Sequence, residues 1–204
     1  MIGGGEVRQV EEIGRGRPPR TPLSPLAEEA KKTAAVGMLI ALGSWTMLFV
    51  SLFFAYAAYR LRAPVWPPEG APALPRLLPG LAALVLLSSC AALHFALGAA
   101  TKRARLRRLL SALALGALFL ALGTAFWRPL WLGGFTAASG IYGSTVWALT
   151  GLHALHVAGG LVALAALLPL AGRPAFASRG RVTAMYWDFI AAVGLLTFAT
   201  VVLL

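Results

Sequence analysis

The sequence predicts an all-α integral membrane protein, a bundle of five transmembrane helices with its N-terminus cytoplasmic and its C-terminus outside. Three observations carry this. First, 59% of the 204 residues are hydrophobic and 12% are charged, at a mean hydropathy of +0.77. A soluble domain carries roughly 25% charged residues, so too little polar surface is present to coat a globule. Second, the seven acids are clumped. Glu6, Glu11, Glu12, Glu28 and Glu29 lie near the start and Glu69 in a Pro-rich loop, leaving Asp188 alone inside an apolar run, the exclusion a bilayer imposes. Third, five apolar runs follow one another, each long enough to cross ~30 Å of hydrocarbon at ~1.5 Å per residue.

Residues 1–32 are polar, with Gly, Pro and Arg and no amphipathic period. They read as a mobile tail ending in a short surface turn near Glu28 to Lys32. The remainder, 33–204, is the transmembrane domain, with spans at 34–59, 76–100, 108–127, 141–170 and 182–204. Ala55-Tyr56-Ala57 resembles a signal-peptide cleavage site. The apolar stretch before it, about 20 residues, exceeds the ~7–15 of such peptides, so a retained helix is expected. Pro64, Pro67, Pro68, Pro72, Pro75 and Pro79 make the first loop stiff and non-helical until the second span begins.

Orientation follows from the basic residues flanking the spans. The tail (Arg8, Arg15, Arg17, Arg20, Lys31, Lys32), the second loop (Lys102, Arg103, Arg105, Arg107, Arg108) and the fourth loop (Arg173, Arg179, Arg181) together hold fourteen. The opposite side holds four, Arg60, Arg62, Arg76 and Arg128. Trp66, Trp127 and Trp131 fall near the outer interface, where an aromatic belt belongs. The net charge of +11 does not indicate nucleic-acid binding, because the basic residues sit between apolar runs rather than along one face. They serve as stop signals and contacts for anionic lipid. The single cysteine, Cys90, lies in an apolar stretch and reads as a small buried residue.

The chemically informative positions are the ionisable groups within spans: His94, His153, His156 and Asp188. Helix rise places His156 ~22 Å down the fourth span and Asp188 ~9 Å up the fifth, nearly one level. His153 and His156, three apart, share a helix face, and a buried aspartate needs a partner. The expectation is that Asp188 bonds to His156 or His153. A haem or metal site would show opposed histidines on separate helices. A carrier would show repeats or broken helices. The four therefore read as a structural polar cluster tying helices together, with no catalytic residue and no metal. Gly37, Gly43, Gly116, Gly123, Gly159 and Gly160 allow close helix approach. Ser44, Ser88, Ser89 and Ser111 are expected to bond their own helices' carbonyls.

Several of these motifs together resemble subunit III of the haem–copper terminal oxidases. Gly151-Leu-His153-Ala-Leu-His156-Val-Ala-Gly-Gly160-Leu is similar to that family's T-H-x-L-H-V-x-x-G-L, and Met185-Tyr186-Trp187-Asp188-Phe189 to its Y-W-H-F. Ser44 to Leu48-Phe49, then Phe54-Ala-Tyr56-Ala, is similar to its S-x-x-x-L-F…A-T-Y-A, and Ser88-Ser89 to a Ser pair in the next helix. The resemblance spans residues 34–204 and matches the five-helix bacterial form. This chain departs from the pattern where Trp45 replaces an acid, where Leu122 to Trp127 lacks a buried glutamate, where Asp188 replaces a histidine, and where Ala191 to Gly194 replace an acid and Trp.

The resemblance implies a non-catalytic component of an oxidoreductase complex that reduces oxygen to water, in the bacterial inner membrane. It implies subunits I and II as partners, haem and copper in those partners rather than in this chain, and bound phospholipid. Arg105, Arg107, Arg108, Arg179 and Arg181 are then candidates for lipid or partner contact, with Tyr186 and Trp187 anchoring the inner interface. The alternatives are a subunit III-like protein accompanying nitric oxide reductase and a small stand-alone membrane transporter.

Overall fold

A computed structural model describes residues 25–203, so residues 1–24 of the tail lie outside the described residues. Helix α1 runs Pro25–Arg62, α2 Leu77–Leu97, α3 Lys102–Leu132, α4 Gly140–Ala165 and α5 Ala175–Phe198. A short 3-10 turn, Leu168–Leu170, follows α4, and a π-helical turn, Ala199–Leu203, follows α5. Five helices among the described residues are long and apolar enough to span a bilayer.

Helices α1, α3 and α5 begin before the apolar runs that predicted them, whereas α2 lies within its run and α4 ends short of its own. Residues 25–32, read as the end of the polar tail, belong to α1. Helix α3 begins at Lys102 rather than 108, because Thr101 caps it: its Oγ1 accepts from the Ala104 N–H at 3.2 Å. At its other end α3 passes through Trp127 and Pro129 and stops at Gly133, with Gly134 at φ +80° turning the chain. Helix α5 starts at Ala175, so Arg179 and Arg181 lie on its first turns. A bilayer limits the apolar length of a span, and the helical backbone continues into the polar interface where water satisfies its ends.

Helices α2 to α5 close a ring: α2 packs on α3 and α5, and α4 packs on α3 and α5. Trp187 of α5 occupies the centre at 0% exposure. A Cβ at Gly160 of α4 would overlap its ring, and one at Gly116 of α3 would press on it at 3.0 Å, so these glycines form its socket. Its Nε1 donates to Ser89 Oγ of α2 at 3.1 Å, and Ser89 Oγ donates to the Ala112 carbonyl of α3 at 2.7 Å. Ser89 thus bonds across helices rather than to its own, whereas Ser44, Ser88 and Ser111 bond their own helices' carbonyls. Cys90 is buried beside the Trp187 carbonyl.

Helix α1 contributes large aromatic side chains rather than close backbone contact. Trp45 meets the His156 ring at 5.4 Å and the Tyr186 ring at 5.0 Å, and Phe49 meets His156 at 5.2 Å and Phe189 at 6.4 Å. Two apolar cores result. One is built around Trp187, Leu93, Leu109 and Val157, the other around Tyr56, Phe126, Tyr142 and Leu149.

Helices gain little from apolar transfer in lipid, so association rests on packing and interhelical hydrogen bonds. Trp187→Ala leaves a central void and removes the bond to Ser89. The expected loss is about 3–5 kcal/mol, readable as a lowered midpoint of thermal unfolding in detergent, whereas Leu155→Ala on the exposed face of α4 leaves the midpoint within error.

Candidate functional site

Asp188 follows Trp187 in sequence, and one residue of helix advances the side chain by about 100°. With Trp187 aimed at the centre of the ring, Asp188 emerges at the α2–α5 seam. There His94 Nε2 lies 2.9 Å from Asp188 Oδ1 and 3.0 Å from Oδ2. The expected bond from Asp188 to His156 or His153 is not formed. Those histidines lie on α4, away from the seam that Asp188 faces. The side chains of the pair stay about half exposed, at 53% for His94 and 49% for Asp188.

His156 Nδ1 is 2.8 Å from the Leu152 carbonyl one turn back, and its own carbonyl accepts the Tyr186 hydroxyl at 2.9 Å. Its ring packs against Trp45 and Phe49. His153, three residues earlier, turns away from α1 and meets Phe119 of α3 edge-on at 5.4 Å. It is 4% exposed, and neither ring nitrogen has a hydrogen-bond partner. The four residues predicted as one polar cluster therefore divide into three places: the α2–α5 seam, the α1–α4–α5 junction, and the ring interior.

Tyr186 and Trp187, expected at the inner interface, are buried instead. Glycines on the facing helices open a socket for the indole, and the Tyr186 hydroxyl is spent on the His156 carbonyl. Arg105 is likewise half-buried. It donates to the Ala171 carbonyl and, at 3.1 Å, to the Ala99 carbonyl, with its guanidinium 4.5 Å from the Phe176 ring centroid. It ties the α2–α3 connection to the α4–α5 connection. Arg108 donates to the Phe95 carbonyl at 2.6 Å. Arg107, Arg179 and Arg181 remain exposed. Among the described residues, no group of three or more His, Cys, Asp or Glu could hold a metal ion. The interhelical Trp187–Ser89–Ala112 chain escapes a reading of the sequence, although Gly116 and Gly160, its enabling residues, are visible there.

This arrangement defines a class: an all-helical, multi-pass membrane protein whose intramembrane polar groups bind helices to one another. The family model of cytochrome c oxidase subunit III matches residues 26–203, and the chain belongs to that family. It is 32% identical over 176 residues to cytochrome c oxidase subunit 3 of Synechocystis, covering 82% of this chain and 74% of that protein. It is 34% identical over 176 residues to the probable cytochrome c oxidase subunit 3 of Mycobacterium tuberculosis, covering 82% and 86%. The corresponding protein of Thermostichus vulcanus is 27% identical over 187 residues, covering 87% and 90%. Family and spans together make it a multi-pass protein of the bacterial plasma membrane.

Interhelical polar contacts in membrane bundles contribute about 0.6 kcal/mol on average and at most about 1.7. A double-mutant cycle of His94→Ala and Asp188→Ala, read by unfolding in detergent, is expected to give a coupling energy within that range. The cycle of His153→Ala with Asp188→Ala should give none. A larger coupling for the second pair than for the first would contradict the geometry.

Proposed function

We propose that this chain is the non-catalytic subunit III of a proton-translocating haem–copper terminal oxidase in aerobic respiration. In this role it packs beside the catalytic subunit I, in a complex with subunit II, and binds phospholipid. The family match over residues 26–203 supports association with the oxidase complex and carries this reading. Two observations fit it. Redox chemistry needs ligand sets, and the intramembrane histidines are separated into three places with no shared ligand geometry. Also, a half-exposed carboxylate–imidazole pair at membrane depth is costly against hydrocarbon, and such groups normally face protein. A neighbouring subunit laid over the α2–α5 seam would cover it. Exposed Arg107, Arg179 and Arg181 would meet lipid phosphates or partner carboxylates at the membrane surface.

Purification of the tagged chain from its native membrane in mild detergent is expected to bring haem-absorbing partners with it. Asp188→Arg, which replaces the carboxylate beside His94 with a bulky cation, should lower the haem recovered per chain several-fold. A colourless chain that purifies alone and moves a solute in vesicles overturns the reading. The same assignment includes a cytoplasmic N-terminus, from the excess of basic residues on that side. Alkaline phosphatase fused after Leu204 should therefore be active, and the same enzyme fused within the loop near Lys102 inactive.

A further inference from the structure

At the end of α3 opposite Arg107 and Arg108, the side chains of Thr124, Trp127, Arg128, Trp131 and Leu132 share one face, following the i, i+3, i+4, i+7, i+8 spacing of a helix. With Trp147 of α4 across from them they line an open groove of about 290 Å³. From Arg108 to Arg128 the helix rises about 30 Å, the thickness of the hydrocarbon layer. Arg128 therefore stands where hydrocarbon meets headgroups, on the face away from Arg107 and Arg108.

Tryptophans of an interfacial belt keep their polar edge toward the wet side. Two of these three do the reverse. Trp127 Nε1 donates to Thr150 Oγ1 at 3.2 Å, and Trp147 Nε1 donates to the Phe135 carbonyl at 3.1 Å. Their ring centroids lie 5.8 Å apart, and the Trp131 ring stands edge-on to Trp147, also at 5.8 Å. Indoles locked to the protein in this way form fixed walls. Trp131 is 62% exposed, and its N–H meets no acceptor among the described residues. The exposed Arg128 guanidinium is equally uncommitted, since the one ion pair among the described residues is His94–Asp188. Toward the membrane midplane the same face of α3 continues as exposed Ala121, Ala117 and Ala114, a furrow of small side chains.

We propose that this groove binds an anionic phospholipid. Its phosphodiester accepts from Arg128 and from Trp131 Nε1, its glycerol rests against the Trp127 and Trp147 rings, and an acyl chain runs down the alanine furrow. The guanidinium fork matches two phosphate oxygens at once, and binding sites pair apolar and aromatic walls with a few placed polar groups. A free phosphate would leave the indole walls and the furrow uncovered. No carboxylate lines the groove to receive an ammonium group, so a headgroup without its own cation fits best. This deepens the phospholipid binding included in the proposed function by naming a site for it, and the site lies wholly within this chain.

The test reconstitutes the full-length tagged chain, with whatever subunits purify with it, into phosphatidylcholine vesicles. These contain a phosphatidylglycerol probe with a diazirine near the head of one acyl chain, and labelled peptides are mapped by mass spectrometry. The expected result is label concentrated within 121–131. It should fall about fivefold in Arg128→Gln and roughly twofold or more in Trp131→Phe, which keeps a ring and removes the N–H. Arg62→Gln, which removes another exposed cation from the same side, should label 121–131 as the unaltered chain does. A diacylglycerol carrying the same diazirine should label 121–131 far less, and excess inorganic phosphate should leave the phosphatidylglycerol label in place. Undiminished label in Arg128→Gln, equal label from the diacylglycerol, or loss of label to inorganic phosphate overturns the proposal. Haem recovered with the chain is read separately, so failure of the oxidase assignment leaves this pattern of label unchanged.

Discussion

The packing of the Trp187 indole against the glycines of two facing helices is the contact on which the rest of the bundle depends. The ring sits on α5, its socket is Gly116 on α3 and Gly160 on α4, and its Nε1 is held by Ser89 on α2. One side chain thus touches every member of the ring. In lipid this matters more than it would in water, because hydrocarbon outside the bundle solvates apolar side chains as well as the interior does. What remains to hold helices together is shape complementarity and the hydrogen bond that an indole would otherwise lack.

Fixing Trp187 also fixes its neighbours. A helix turns about 100° per residue, so with the indole at the centre, Tyr186 is carried toward α4 and Asp188 toward α2. The Tyr186 hydroxyl then finds the His156 carbonyl, and the Asp188 carboxylate finds His94. Two residues flanking one tryptophan are thereby sent to opposite sides of α5. The carboxylate ends half exposed on a surface that hydrocarbon covers poorly. An interior constraint has placed a polar pair on the outside of the bundle, where another protein has reason to sit.

Five spans were legible in the sequence because a bilayer demands long apolar runs and excludes acids, and both signals survive without any three-dimensional knowledge. The motif around His153 and His156 and the aromatic start of α5 were enough to point to the family, which the match over residues 26–203 shows. Pairing was not legible. Depth along two helices put His156 and Asp188 at one level, but level says nothing about azimuth, and azimuth was set by the burial of Trp187. The same blindness made Trp187 an interface anchor on paper, since a tryptophan near the polar end of a span fits a belt as well as a core. The ends of α3 are set by Thr101 and Gly133, whose effect lies outside the apolar window that defines a span.

The substitutions that separate this chain from the family pattern have a common structural meaning. Where the resemblance places an acid after the first-span serine, Trp45 lies against His156 and Tyr186. Its neighbour His156 has Nδ1 closed onto its own helix. Proton movement through a membrane interior requires titratable groups linked by hydrogen bonds or water. Here an indole and a phenyl ring cover the imidazole that stands closest to α1. The single intramembrane carboxylate among the described residues is held by His94 at a different seam, and no hydrogen bond joins the two sites. Of the three histidines at membrane depth, His94 and His156 are tied into separate helix contacts, while His153 packs its ring on Phe119 with neither nitrogen bonded.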